Sequence, residues 1–131
     1  MHVHIQVDGA SHQNPGPAAI GVVVKDDQGK RLVEISQSIG VATNNVAEYK
    51  ALITGLRKAL SLGATTGTVA LDSELAMRQL SGRYRVKSPG LQPLCAEATA
   101  LLKKGRFTLT HVGHAGNHEA HELAQKALKG R

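Results

Sequence analysis

Aromatic residues are nearly missing from this chain: among 131 residues there is no tryptophan, one phenylalanine and two tyrosines. A folded core must therefore be assembled from Val, Ile, Leu and Ala. Cysteine is as scarce. Cys95 stands alone, which excludes an internal disulfide and makes a reducing, cytoplasmic setting the expectation. No apolar run approaches the length needed to span a bilayer, and Met1-His2-Val3-His4 does not read as a signal peptide. Repeats, low-complexity tracts and long linkers are also missing. One domain over residues 1–131 is expected, large enough to bury about two-thirds of its unfolded surface.

Acidic residues are few as well, ten Asp/Glu against sixteen Lys/Arg, for a formal net charge of +6. The imbalance lies in the second half. Residues 1–65 carry six basic and five acidic side chains, while residues 66–131 carry ten and five. Arg78, Arg83, Arg85 and Lys87 fall in one short stretch with no acid among them. A concentrated positive patch on a small domain suggests a polyanionic partner, although a solvated basic loop explains the charge equally well.

Val3, Ile5 and Val7 alternate with His4, Gln6 and Asp8, the period of a half-buried strand. Asn14-Pro15-Gly16-Pro17 is turn chemistry. A second strand is expected over Ala19–Val24, and a hairpin turn at Asp26-Asp27-Gln28-Gly29 leads into a third over Leu32–Ser38. The period then becomes helical from Asn45 to Leu62, with Gly63 as a stop. Further elements are expected as a strand at Thr68–Leu71, a short helix to Leu80 and a helix over Gln92–Lys103. A strand at Phe107–Val112 and a helix over His118–Leu128, capped by Asn117, complete the chain. This order implies an α/β fold, a mixed sheet flanked by helices with an antiparallel start.

Three of the acids stand beside apolar sequence at strand ends or helix starts: Asp8, Glu48 and Asp72. Each has an ordinary structural explanation. Asp8-Gly9 reads as a turn, Asn45-x-x-Glu48 as a capping box, and Asp72 as a helix cap. If a sheet edge brought the three together, their repulsion would call for a hard divalent cation such as Mg²⁺. Two such ions can clamp the attacking and leaving oxygens of a phosphoryl transfer.

The local words resemble those of the ribonuclease H family. Val7-Asp8-Gly9-Ala10-Ser11 with Asn14-Pro15-Gly16-Pro17 is similar to its opening. Thr43-Asn44-Asn45-Val46-Ala47-Glu48 looks like its T-N-N-x-A-E, and Leu71-Asp72-Ser73 like its strand-end D-S. Gly113-His114-Ala115-Gly116 and Asn117-His118-Glu119-Ala120 are similar to its last loop and helix. The match runs in order over essentially the whole chain.

The resemblance implies a ribonuclease H-like fold with a five-stranded mixed sheet. It also implies an endoribonuclease that cuts the RNA strand of RNA/DNA hybrids with two Mg²⁺ or Mn²⁺ ions, leaving 5′-phosphate and 3′-hydroxyl ends. Asp8, Glu48 and Asp72 would be metal ligands, and His114 would aid proton transfer or product release. Asn14, Thr43, Asn44 and Asn45 would grip the hybrid, since short amides and hydroxyls suit minor-groove edges and 2′-hydroxyls. Arg83, Arg85 and Lys87 would hold phosphates, in place of the long basic protrusion that some family members carry. Double-stranded RNA stays open as a second substrate, no membrane partner is implied, and a monomer is expected.

One position departs from the family. Its closing A-D-x-L-A here reads Ala120-His121-Glu122-Leu123-Ala124, so His121 replaces the fourth acidic ligand. Recruiting Glu122 would break the Leu123-Ala124 alignment, and Glu119 is expected to face outward. His121 is read as a neutral nitrogen ligand that favours Mn²⁺; the alternatives are a hybrid-binding protein with weak or lost nuclease activity, and a tolerated substitution with water filling the ligand's place. His111, His114, His118 and His121 with Cys95 also raise structural zinc, but that run crosses a strand, a loop and a helix start, which is no zinc signature.

Overall fold

The computed structural model describes residues 1–82 and 85–130, with His114 described by its backbone alone. Its strands are β1 (His2–Ser11), β2 (Gly16–Lys25), β3 (Arg31–Ala42), β4 (Thr66–Leu71) and β5 (Phe107–His111). Its helices are α1 (Asn44–Ser61), α2 (Glu74–Leu80), α3 (Gln92–Lys104) and α4 (His118–Lys129), the last preceded by a 3₁₀ turn over His114–Asn117. The sheet order is β3-β2-β1-β4-β5. The first three strands form an antiparallel meander, and β1–β4 and β4–β5 are parallel. This is the expected five-stranded mixed sheet. No helix among the described residues is long and apolar enough to cross a membrane.

Both faces of the sheet are covered. Val3, Ile5 and Val7 of β1, with Ile20, Val22 and Val24 of β2, pack against Tyr49, Leu52 and Leu56 of α1. On the opposite face α4 lays Ala120 and Ala124 over β2, close enough that a Cβ on Gly21 would sit 2.0 Å from Ala120 O. Aliphatic side chains thus do the filling that the missing aromatics would otherwise do. The alternation that buries the odd residues of β1 leaves His2, His4, Gln6 and Asp8 on the α4 face.

Three expectations need correction. β3 runs to Ala42 rather than Ser38, because the register shifts at Ala18/Ala19 and Gly40 adopts a φ of +82°, which carries the strand past a bulge. Its polar, edge-strand sequence hides this continuation. The capping box at Asn45 does not form. Thr43 is the cap of α1, its Oγ1 accepting from Val46 N at 3.2 Å, and Asn45 lies inside the helix. Asn117 precedes α4 but its side chain makes no capping bond. Gln6 of β1 takes that duty instead, Oε1 accepting from Ala120 N at 3.3 Å.

Candidate active site

Parallel pairing brings two of the three acids together. His2, His4 and Gln6 of β1 are in register with Thr66, Thr68 and Ala70 of β4. Two more residues along each chain lead to Asp8 and Asp72, neighbours at the C-terminal end of adjacent parallel strands and on the same face. Glu48 enters from the first turns of α1. Its approach depends on Gly9, where a Cβ would lie 2.2 Å from the Ala47 carbonyl carbon. With hydrogen alone at that position, strand and helix touch, and Gly9 N donates to Glu48 Oε1 at 2.9 Å.

One carboxylate oxygen from each of Asp8, Glu48 and Asp72 lies within 4.8 Å of the other two. Each structural explanation offered by the sequence fails. Asp8 lies inside β1 rather than in a turn. Glu48 is held by Gly9 and caps nothing. Asp72 leaves the capping of α2 to Ser73, whose Oγ accepts from Ala76 N at 3.2 Å. Three acids gather here without a local structural task.

The gathering is electrostatically costly. Burial, then the charge of Asp8, pushes the Glu48 carboxyl up to about 9. Asp8 is raised chiefly by burial, with Asp72 adding to the rise, and the closeness of the Glu48 carboxyl and the His121 ring opposes it without cancelling it. Glu48 Oε2 is buried with no hydrogen-bond partner among the described residues. A buried acceptor without a donor, inside a carboxylate trio, is the environment that a hard cation satisfies. The residues fit a divalent metal.

His121, on α4, reaches the same place. Its Nδ1 donates to Asp8 Oδ2 at 2.9 Å, and the ring is about a third exposed. Neither acid beside it competes for the role. Glu119 pairs with Lys25 at 2.6 Å and with Arg31, which lowers its pKa, so it is tied to the β2–β3 hairpin. Glu122 pairs with His118 at 2.9 Å on the outer face of the helix.

Asn117 is a residue that sequence reasoning assigned to the wrong task. It is fully buried, and its Nδ2 donates at 2.6 Å to the carbonyl of Val7, the residue before Asp8. A polar residue before a helix reads as a cap, and nothing in the sequence distinguishes this inward use.

The remaining expected residues divide. Asn14 Oδ1 accepts from Asn44 N, and Asn44 Oδ1 from Ser11 N, both at 2.8 Å. With the Thr43 cap, these join the β1–β2 turn to the start of α1, next to Glu48. Asn45 is exposed on that first turn. Arg85 and Lys87 are exposed in the loop between α2 and α3, while Arg83 lies outside the described residues. His114 opens the 3₁₀ turn, and its side chain is likewise outside the description. Among the described residues, no histidine of the run assembles with Cys95. His111 instead approaches the Asp72 carbonyl at 3.2 Å, and the metal-ligand groups found among the described residues include no member of the run.

The family model described as reverse transcriptase-like matches residues 6–127. A bifunctional protein of Mycobacterium tuberculosis is 47% identical over 130 residues, covering 98% of this chain but 36% of that protein. The chain thus spans about a third of the length of such curated relatives. The crystal structure of ribonuclease H1 from the halophilic archaeon Halobacterium salinarum has a TM-score of 0.95 at 39% identity, covering 100% of both chains. LC11-RNase H1, crystallised in complex with an RNA/DNA hybrid, has a TM-score of 0.90 at 37% identity over 98% of this chain and 97% of that one.

Proposed function

The chain belongs to the ribonuclease H family, and from that premise we propose that it hydrolyses the RNA strand of RNA/DNA hybrids. The observation that carries the reading is the carboxylate trio itself, with Asp8 and Glu48 buried and Asp72 half-buried, mutually repelling and released from every capping duty. Asp8, Glu48 and Asp72 would hold two divalent ions. Mg²⁺ or Mn²⁺ there would neutralise charge on the scissile phosphate and on the attacking and leaving oxygens.

The protein's own groups set the stage for that chemistry. Gly9 N–H fixes Glu48, and the Asn117 bond to Val7 anchors the strand immediately before Asp8. His121 N–H orients Asp8 by a charge-assisted bond. With Nδ1–H on Asp8, His121 would ligate a metal through Nε2, and ligation by imidazole would favour Mn²⁺. His114 would move a proton at the leaving 3′-oxygen or assist product release. Asn14 and Asn44, whose oxygens are spent on backbone amides, would offer their amide N–H groups with Thr43 and Asn45 to the minor groove and 2′-hydroxyls. Arg83, Arg85 and Lys87 would contact phosphates, so affinity should fall steeply with salt. A monomer working in a reducing, cytoplasmic setting suits the single cysteine.

A second reading has its own observation. His121 stands where the family places a fourth acid, so a hybrid-binding protein with lost nuclease activity is the rival. Both are tested by incubating the protein with RNA/DNA hybrid, double-stranded RNA and double-stranded DNA, each strand labelled in turn, and analysing the product ends. RNA-strand cleavage of the hybrid to 5′-phosphate and 3′-hydroxyl ends supports the nuclease. Binding of hybrid without any cleavage supports the rival.

A further inference from the structure

We propose that the chain carries a second metal site, formed by His2, His4 and Asp27, which takes a first-row transition cation of the Zn²⁺ class. It lies on the α4 face of β1, four residues before Asp8 and hence about 13 Å from it along the strand. It is independent of the carboxylate trio and of the nuclease reading.

Strand geometry creates it. His2 and His4 occupy alternate positions of β1 and so share a face, their ring centroids 5.0 Å apart. The turn after β2 brings Asp27 over them, Asp27 Oδ1 lying 2.8 Å from His4 Nε2. One donor atom from each of the three residues lies within 4.8 Å of the other two. Around a tetrahedral zinc the donor atoms stand about 3.4 Å apart, so a small opening of the His4–Asp27 contact and a small closure of His2 complete the set.

The second observation concerns the other ring nitrogens. The parallel register sets Thr66 beside His2 and Thr68 beside His4. Thr66 Oγ1 lies 2.7 Å from His2 Nδ1, and Thr68 Oγ1 lies 3.1 Å from His4 Nδ1. The same partner is supplied twice, by neighbouring residues of one strand. A threonine hydroxyl can donate to Nδ1 or accept from Nδ1–H; on metal binding, when His4 exchanges its Nε2–H···Asp27 bond for the ion, the accepting role leaves the lone pair on Nε2, which is the outer-sphere arrangement of metal-ligating histidines.

The charge around the site is compatible with a cation. Lys25, the strand partner of His4, has its ammonium neutralised by Glu119 at 2.6 Å. Arg31 is engaged by Glu34 and Glu119. Two imidazoles and one carboxylate select Zn²⁺, Ni²⁺ or Cu²⁺ over Mg²⁺, which prefers an all-oxygen shell. A bound ion would tie the β2–β3 turn to the first strand, leaving its remaining positions to water. A His–Asp ion pair alone would account for His4 and Asp27, but it would not require His2 or the paired threonines.

The test is calorimetric titration of the untagged chain with ZnCl₂ under saturating MgCl₂, which would compete for the carboxylate trio. Co²⁺ absorption supplies a spectroscopic readout of nitrogen ligation. One equivalent of Zn²⁺ is expected to bind and to raise the melting temperature. His4→Gln and Asp27→Asn, both exposed positions, should abolish that binding. Thr68→Val should weaken it about tenfold, the usual loss when an outer-sphere partner goes. Asp72→Asn should leave it intact. Absence of Zn²⁺ binding under Mg²⁺, unchanged binding in His4→Gln, or loss of binding in Asp72→Asn would each overturn the proposal.

Discussion

Replacing Glu48 with Gln should stabilise the metal-free protein at neutral and alkaline pH, although it removes a ligand. The Glu48 carboxyl sits near 9 in the fold against an ordinary 4.5. An acid whose pKa is raised by folding contributes stability below its unfolded value and loses it as pH climbs toward the folded value. The affected window is therefore about pH 4.5 to 9. At pH 7.5, three units into it, the stability lost has a ceiling of about 4 kcal/mol, since each unit is worth about 1.4 kcal/mol. Asp8 shares the same repulsion, so roughly half, about 2 kcal/mol, is expected from this one substitution. Gln is the right probe because its amide oxygen can still accept from Gly9 N and its N–H₂ can donate to Asp8. For a chain of this size 2 kcal/mol corresponds to roughly 8 °C in melting temperature. Thermal melts in EDTA at pH 5 and pH 7.5 would show wild type and variant converging at the lower pH and separating at the higher. Mg²⁺ or Mn²⁺ should close the gap by stabilising wild type more than the variant. A variant that melts below wild type in EDTA at pH 7.5 would refute the claim that this carboxyl is strained.

Other outcomes follow from the same geometry. His121→Asp should raise Mg²⁺-supported cleavage about tenfold and lower the Mn²⁺/Mg²⁺ rate ratio, and initial rates in both metals would reveal an unchanged ratio if residue 121 does not bear on the metals. Gly9→Ala drives a methyl to 2.2 Å from the Ala47 carbonyl carbon, so denaturant melts should show a loss of about 1–3 kcal/mol, with cleavage falling as Glu48 is displaced. Asn117→Ala abandons the Val7 carbonyl in a buried setting, for a stability cost of about 1–3 kcal/mol, and a larger drop in cleavage than in hybrid affinity is expected.

Much of the fold was legible because its signals are local and periodic. The alternation of Val3, Ile5 and Val7 and the helical spacing from Tyr49 to Leu60 each point to one element and one buried face. Where reading failed, the deciding partner came from far along the chain. Asn117 looks like a cap until Gln6, more than a hundred residues earlier, takes over the amide of Ala120. Glu48 looks like half of a capping box until Gly9 lets α1 descend onto β1. The three acids could be suspected of meeting, but only the parallel register of β1 and β4 sets Asp8 beside Asp72. The His2–His4–Asp27 cluster was invisible for the same reason, since neither the pairing with Thr66 and Thr68 nor the reach of the β2–β3 turn is written in local sequence.

We propose that Asp8, Glu48 and Asp72 form a divalent-metal site that cuts RNA in a hybrid. Its most direct test is single-turnover cleavage of an RNA/DNA hybrid end-labelled on the RNA, in Mg²⁺ and separately in Mn²⁺, with Asp72→Asn alongside. RNA-strand cleavage that needs a divalent ion is expected, and it should disappear in Asp72→Asn while hybrid binding persists. Cleavage that survives Asp72→Asn, or no cleavage in either metal by a protein that binds the hybrid, would contradict the proposal.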